Sequence, residues 1–529
     1  MDSQDTLLDR FEQLNTIGAS LSSERNIDRL LENILLAAKA ITHADGGTLY
    51  RMREDGRALR FAILRTDSLG IAFGGTTGQP ISAQFQDLAL YREDGSENSS
   101  MVAAYSAVHG ATVNIADAYS EAGFDFSGTR RFDASTGYRS KSFLTVPMKN
   151  HEREIIGVLQ LINAIDPETG TVREFSLADQ HLAESLASQA AVALTNRLLL
   201  VQLEMLFESF ISLINLAIDE KSPYTGGHCQ RVPTLTMMLA DAADSVRDGP
   251  LADFSLSEQD RYELKIAAML HDCGKVTTPV HVVDKATKLE AIVDRIGLID
   301  TRFELVRRDA EIARWRAVAE GGDAAAAEQA FCELSARVDE DRAFLRRVNI
   351  GGEAMSPEEQ ARVREISKRY SWVNPAGERA DFLSDNEIEN LSIRAGTLTA
   401  EEREVINHHV VASIRMLESL PWPKHLRHVP EYAGGHHERI DGKGYPKGLR
   451  GDQMSVQARI MGIADIFEAL TARDRPYKPA MSVDKAMRIM ENMAATGHID
   501  PALFEVFRRE KVHERYAQQF LGDAPPPPG

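Results

Sequence analysis

The sequence predicts a chain of several parts: an α+β domain built on an antiparallel sheet, a long connecting helix, and an all-helical domain with a helical insertion. Three observations carry this. Between Asp45 and Asn163 short β-type runs such as GGTLYRM, ALRFAILR, SFLTVPMK and IIGVLQLINA alternate with glycine-bearing loops and are flanked by helical patterns. An antiparallel sheet with helices packed on it absorbs such a pattern. From Ser176 to Ser222 the chain carries neither Gly nor Pro. From Pro223 to about Leu521 the apolar spacing is helical. The length of 529 residues agrees, since it exceeds what one core supports and implies roughly two to four domains.

Taken in order, residues 1–25 read as an N-terminal helix and 26–175 as the α+β domain. Residues 176–221 read as one helix, in which Leu182, Leu186, Ala190, Ala193, Leu200, Leu203, Phe207, Phe210 and Ile214 recur at three-, four- or seven-residue steps. That is the seam of a coiled coil, and it predicts pairing with a second copy as a homodimer. Residues 222–522 form the helical domain. Within it 291–394 reads as an inserted helical hairpin, one stripe running from Ile292 to Val306 and another from Phe331 to Leu345 across the break EGGDAAAA. Ser356 in SPEE and Thr399 in TAEE each stand three residues before a Glu, so a helix starts at both. The end, 523–529, is proline-rich and is expected to be disordered.

A formal net charge of -19 argues against binding polymeric nucleic acid or anionic lipid, both of which need a basic face. Neither a run of about 18 uninterrupted apolar residues nor the basic and apolar regions of a leader is read, so the expectation is a cytoplasmic protein without membrane insertion. Cys229, Cys273 and Cys332 show no CxxC spacing, which speaks against a disulfide framework or a thiolate zinc site.

The chemistry gathers in the helical half. His228 in YTGGHCQRV, His271 and Asp272 in MLHDCGK, His409 in INHHVVAS, His436 and His437 in GGHHERIDGKGYPKGL, and Asp465 in RIMGIADIFEAL are imidazoles and carboxylates on helical or turn segments. These are the ligand types of Mn, Fe, Co, Ni or Zn, and a carboxylate can bridge two ions where a neutral imidazole cannot. Asp272 therefore suits the bridge of a two-metal centre. The pair His271–Asp272 ends an apolar helical run, where a buried acid needs a cation.

HDCGK, GGHHERIDGKGYPKGL and ARIMGIADIFEALTARDRPYK together resemble the HD-GYP family, bacterial phosphodiesterases that hydrolyse cyclic di-GMP, over about Asn215 to Phe507. The resemblance implies that His228, His271, Asp272 and Asp465 hold one divalent ion and Asp272, His409, His436 and His437 the other, with Fe or Mn as the metals. Between His408 and His409 it favours His409, because the family has a small residue four positions and Leu eight positions after the ligand, and Ser413 and Leu417 fit. It implies attack by a hydroxide activated between the two ions, giving pGpG and in some members GMP. Lys275 is then placed to meet a phosphate oxygen or the hydroxide, and Arg475 and Lys478 resemble the family's phosphate-holding pair, although TARDRPYK is one residue longer than usual. Members with a third ion have Glu four residues before the first His; here that residue is Tyr224, so two ions are expected.

VNIADAY, STGYRSKSFLTVPM and IIGVLQLINA resemble a GAF domain, a small-ligand sensor fold. The resemblance implies a regulatory small molecule there. Cyclic-nucleotide-binding members pair a Lys after the Asn with an acid; here Asn163 precedes Ala164, and Phe175 leads to Asp179 and Gln180, so that pairing cannot form. The expectation is a cyclic di-GMP phosphodiesterase controlled by a GAF domain. The alternatives are a non-hydrolytic cyclic di-GMP receptor and an HD phosphohydrolase acting on another cyclic dinucleotide or nucleotide.

Overall fold

The computed structural model describes residues 2–82, 85–221, 227–351, 354–374, 376–473 and 480–522, with side chains from residue 12 onward. Tyr224, Arg475, Lys478 and the tail 523–529, which the sequence singled out, lie outside the described residues. The chain divides into two compact units, Met1–Leu206 and Phe207–Gly529.

The first unit opens with helices α1 (Asp2–Ser23) and α2 (Ile27–Thr42). Its sheet contains β1 (Ala44–Met52), β2 (Ala58–Thr66), β3 (Ile71–Phe73), β4 (Leu88–Ala89), β5 (Val113–Ile115), β6 (Phe143–Lys149), β7 (Ile155–Ile165) and β8 (Val172–Arg173). Strand order is β3-β2-β1-β7-β6-β5, with β4 beside β2 and β8 beside β7, and every pairing is antiparallel. Helices α3 (Val102–His109) and α4 (Ser127–Thr136) lie in the connections.

Period-two alternation splits the apolar side chains between the two faces of the sheet. Leu49, Ile63, Leu144, Val146, Leu159 and Leu161 meet Leu30, Ile34 and Leu35 of α2 on one face, whereas Tyr50, Leu59 and Val158 meet Ala103 and Ala104 of α3 on the other. Asn26 caps α2 by accepting from Arg29 N. Gly47 lets α2 lie close on the sheet, because a Cβ there would meet Leu35 Cδ1 at 2.8 Å and Gln160 O at 3.1 Å.

Helix α5 runs unbroken from Leu177 to Lys221. Its seam is not uniform along its length, which corrects the sequence reading. Leu182, Leu186, Ala190 and Ala193 are buried in the core of the first unit, so they are not offered to a second chain. Leu200, Leu203, Phe210 and Ile214 are exposed. Phe207 packs edge-on against Trp422 in the second unit, whose core also takes Ile211 and Ile218. An 18-residue window of α5 has a mean hydropathy of 1.5 and is 11% buried, so among the described residues this one helix is, by length and composition, apolar enough to cross a membrane.

The second unit is helical: α6 (His228–Asp244), α7 (Glu258–Leu270), α8 (Val280–Val283), α9 (Ile296–Ala319), α10 (Ala324–Asn349), α11 (Pro357–Arg369), α12 (Asp385–Leu391), α13 (Ala400–Glu418), α14 (Val429–Gly434), α15 (Val456–Thr471), α16 (Val483–Ala495), α17 (Pro501–Arg509) and α18 (Val512–Phe520). Ser356 and Thr399 open α11 and α13 with reciprocal capping boxes to Glu359 and Glu402. One hairpin departs from the all-helical expectation: β9 (Ser371–Val373) pairs antiparallel with β10 (Arg379–Asp381). The β-prone SWV run explains it, with Gly377 at a φ of 81° in the turn. Residues of α9, α10, α11 and α12 share a core of their own around Phe303, Leu345, Ile366 and Phe382. Another cluster unites α6, α7, α14, α15 and α17 through Leu235, Leu264, Val429, Met461 and Phe507. The predicted site residues stand at the margin of that second cluster.

Candidate metal centre

Five segments deliver the seven predicted ligands to one place. His228 opens α6; His271 follows the last residue of α7; Asp272 comes next, ahead of a 3-10 turn over Cys273–Thr277; His409 lies mid-way along α13; His436 and His437 follow α14; Asp465 lies on the buried face of α15. The turn after Asp272 fits only because residue 274 is glycine. A Cβ there would stand 2.0 Å from His409 O and 2.5 Å from Ser413 N. Gly274 N instead donates to Ser413 Oγ at 2.8 Å, which clamps α13 against the His-Asp segment.

The side chains form two trios, His228–His271–Asp272 and His409–His436–His437, and within each the ligand atoms lie within 4.8 Å of one another. Asp272 joins the trios: Oδ2 is 3.1 Å from Nε2 of both His228 and His271, and Oδ1 is 3.3 Å from His409 Nε2. Asp465 Oδ1 is 3.3 Å from His228 Nε2 and 3.9 Å from His271 Nε2. Six of the residues are buried and His437 is half-buried. His408 is exposed, in a groove with Val405, Val411 and Met416.

A metal fits these residues. The Nε2 atoms of His271, His409 and His436 and Oδ1 of Asp272 are buried without a hydrogen-bond partner among the described residues. Buried lone pairs of this kind cost free energy unless a cation or donor meets them. The Nδ1 atoms are occupied elsewhere, so Nε2 is left as the ligand atom: His271 Nδ1 pairs with Ala268 O at 2.8 Å, His436 Nδ1 with Ala433 O at 2.5 Å, and His409 Nδ1 with Ile406 O.

The electrostatics suit a cation. Burial alone would raise the carboxyl of Asp272, but His271, Lys275 and His228 hold it well below the usual carboxylate range. Asp465 is held down in the same sense, chiefly by His228. Burial pushes His437 down to about 4 and His436 well below its ordinary value, so both are neutral imidazoles at neutral pH. Lys275 Nζ lies 2.6 Å from Asp272 Oδ2, where the ion pair competes with burial and raises the ammonium.

The glycine-rich loop after His437 is fixed by Glu438, which the sequence reading passed over. Its buried carboxylate accepts from Lys447 N at 2.7 Å and Leu449 N at 2.8 Å. Gly444 must approach that turn closely, since a Cβ would lie 2.4 Å from Arg439 N. The loop sets the Tyr445 ring parallel to His437, with centroids 4.8 Å apart. Beside them opens a cavity of about 480 Å³ lined in part by Arg439, Lys443, Tyr445, Asp465 and His498. Arg439 is held by both oxygens of Asp441, at 3.1 and 2.7 Å. Two further residues escaped the reading: Glu468, which pairs with His228, and Arg231, which pairs with Glu468. The signal for Glu468 was its place one helical turn after Asp465.

Models described as HD domain match residues 225–341 and 382–503, and a model described as GAF domain matches 26–194. The chain carries an N-terminal GAF domain followed by an HD domain matched in two stretches. In the GAF domain Asn163 locks the β6 approach, accepting from Lys141 N at 2.7 Å and donating to Arg139 O at 2.8 Å. Asp179, which has no lysine in the motif position, pairs with Arg173 at 2.7 Å.

The HD-domain chain is 26% identical over 302 residues to the 3'3'-cGAMP-specific phosphodiesterase 3 of Vibrio cholerae, spanning 57% of this chain and 38% of that protein. It is 42% identical over 97 residues to the 3'3'-cGAMP-specific phosphodiesterase 1 of the same organism, spanning 18% and 22%. It is 32% identical over 133 residues to a cyclic di-GMP phosphodiesterase of Thermotoga maritima, spanning 23% and 36%. The matched part thus covers well under half of each of these relatives.

Proposed function

We propose that this protein is a metal-dependent phosphodiesterase of the HD-GYP type that opens cyclic di-GMP to pGpG, with GMP as the further product, under the control of its GAF domain. The observation that carries the reading is Asp272. One buried carboxylate faces imidazoles of both trios, one through each oxygen, beside a cavity with basic side chains at its wall.

His228, His271, Asp272 and Asp465 would hold one divalent ion, and Asp272, His409, His436 and His437 the second. Fe or Mn suits this mixture of imidazole and carboxylate. When bound, such ions lower the pKa of a water to the neutral range and offset charge on a phosphoryl oxygen. The chain's own residues supply the rest. Lys275 keeps a positive charge against Asp272, close to where a phosphodiester would lie. Lys443 is exposed at the cavity wall as a cation for the second phosphate, and Tyr445 presents a ring face on which a nucleobase can stack. Arg475 and Lys478 are assigned to phosphate binding by the resemblance alone.

The exposed apolar stretch of α5 supports a homodimer, and a helix continuous between the units supports transmission of GAF state to the metal centre. A second substrate, 3'3'-cGAMP, is favoured by the relatives specific for it. The test is hydrolysis by the Mn- or Fe-loaded full chain of cyclic di-GMP, 3'3'-cGAMP and cyclic di-AMP, with products resolved by chromatography. Faster turnover of cyclic di-GMP supports the first reading and faster turnover of 3'3'-cGAMP the second. A metal-loaded chain that binds but cleaves none would be a receptor.

A further inference from the structure

Of the five ligand imidazoles, three are backed in one way and His228 in another. His271, His409 and His436 each direct Nδ1 at the backbone carbonyl three residues earlier, a neutral acceptor supplied by their own helix or turn. His228 opens α6, and its Nδ1 instead meets Oε2 of Glu468 at 2.5 Å. Glu468 is fully buried and stands on α15 one turn beyond Asp465. Its other oxygen accepts from Arg231 Nε at 2.7 Å and Nη2 at 2.6 Å. Arg231 is itself one turn along α6 from His228, so α6 provides two donors and α15 one two-oxygen acceptor.

We infer that Glu468 is a positioning residue that fixes His228 with its proton on Nδ1 and its Nε2 free toward Asp272 and Asp465, and so makes the subsite of His228, His271 and Asp465 the tighter of the two metal sites. The inference rests on the metal-centre reading above and deepens it. Both neighbours of Glu468 are N–H donors, so only a group with two acceptors satisfies the arrangement; a glutamine offers one acceptor and turns its amide hydrogens on the other donor. An anionic acceptor behind an imidazole also raises its basicity toward a cation, which a carbonyl does less. The other trio has neutral backing at His409 and His436 and only the shared charge of Asp272. The two ions should therefore enter unequally, the first beside His228.

The test uses the full-length protein stripped of metal, titrated with Mn(II) alone and followed by electron paramagnetic resonance, with no nucleotide present. Wild type is expected to bind two ions in two resolved steps. Glu468→Gln should weaken the tighter step by about 10- to 100-fold and leave the weaker one unchanged, the range for losing a partner behind a metal ligand. Glu468→Asp, which keeps the charge, should recover part of the loss. A Gln variant with the wild-type titration overturns the inference. A wild type that binds no Mn(II) overturns the metal centre itself, and the two failures are told apart by which protein fails. A readout independent of any variant's folding is the imidazole proton spectrum of the Zn(II)-loaded wild type. His228 should show a far-downfield proton coupled to Nδ1, and a proton on Nε2 would overturn the assignment.

Discussion

Oδ1 of Asp272 lies 3.3 Å from Nε2 of His409, and neither buried atom has a hydrogen-bond partner among the described residues. The contact ties the end of the α7 segment to the middle of α13, and it has the form of two ligand atoms turned toward a common cation. Without a cation, the free energy of keeping both dry is uncompensated.

Replacing Asp272 by Ala therefore removes the shared ligand and leaves His228, His271 and Lys275 facing one another without their acid. Both ions should be lost together, and kcat/KM should fall by at least about 100-fold, since losing even an outer partner of a metal ligand costs up to that much. Metal content by mass spectrometry and turnover on cyclic di-GMP check this. A variant that keeps two ions would mean that Asp272 does not bridge.

His408 and His409 are neighbours in sequence and opposites in surroundings, the first exposed and the second buried against Asp272. His409→Ala should abolish binding at its subsite with turnover reduced by at least about 100-fold. His408→Ala, a surface change, should stay within about 0.5 kcal/mol, or roughly twofold. The reverse order would shift the assignment by one residue.

These two residues also show what the sequence makes legible. Periodicity and turn residues are local properties, so β1, β2, β6, β7, the run of α5 and the capped starts of α11 and α13 can be read directly. The gathering of His228, His271, Asp272, His409, His436, His437 and Asp465 from distant segments was legible only through a resemblance to a family, because no local pattern encodes which helices pack. Glu468, Arg231 and Glu438 were missed for that reason: each looks like an ordinary helical or loop charge until its partner arrives from elsewhere. The α5 seam failed differently. Spacing reports which residues share a helix face, but not whether the face is covered by the same chain, as it is at Leu182 and Leu186, or left open, as at Leu203 and Phe210.

The GAF domain contains a buried acid whose titration can be followed. Burial would raise Glu32, but hydrogen bonds from Thr77, Arg65 and Thr76 overcome it and hold the carboxyl at about 2, against an ordinary 4.5. The group binds protons more weakly folded than unfolded, so its stabilisation is complete above about 4.5 and is lost as pH falls toward about 2. The protection of the β1 and β2 amides, taken relative to the intrinsic exchange rate at each pH, should fall as pH drops through that window in wild type. In Glu32→Gln that protection should be lower already at pH 7, by the equivalent of about 1.5–3 kcal/mol for a lost charge-assisted bond, and should depend less on pH. Equal pH dependence in both proteins would contradict this role of Glu32.

The last prediction concerns the uncovered part of α5. Val192, Leu199, Leu203, Leu206, Phe210 and Leu213 are each more than two-fifths exposed. With Asn196 they follow alternating steps of four and three residues, which places Val192, Leu199, Leu206 and Leu213 at one core position of a heptad and Asn196, Leu203 and Phe210 at the other. Leucine at one position with a single asparagine at the other is the pattern of a two-stranded parallel coil, in which the two asparagines meet and fix the register. The full chain should sediment at twice its 58.5 kDa mass at micromolar concentration. Leu199→Glu with Leu206→Glu buries two carboxylates per helix in that seam and should give a monomer, with the metal content per chain unchanged because neither residue is among the proposed ligands. Asn196→Leu should tighten the pairing but relax its register, which disulfide trapping through Cys introduced at 196 or 203 would detect as cross-links between unlike positions. A wild-type chain that remains a monomer, or a double variant that remains a dimer, would show that this seam is not the one that joins two copies.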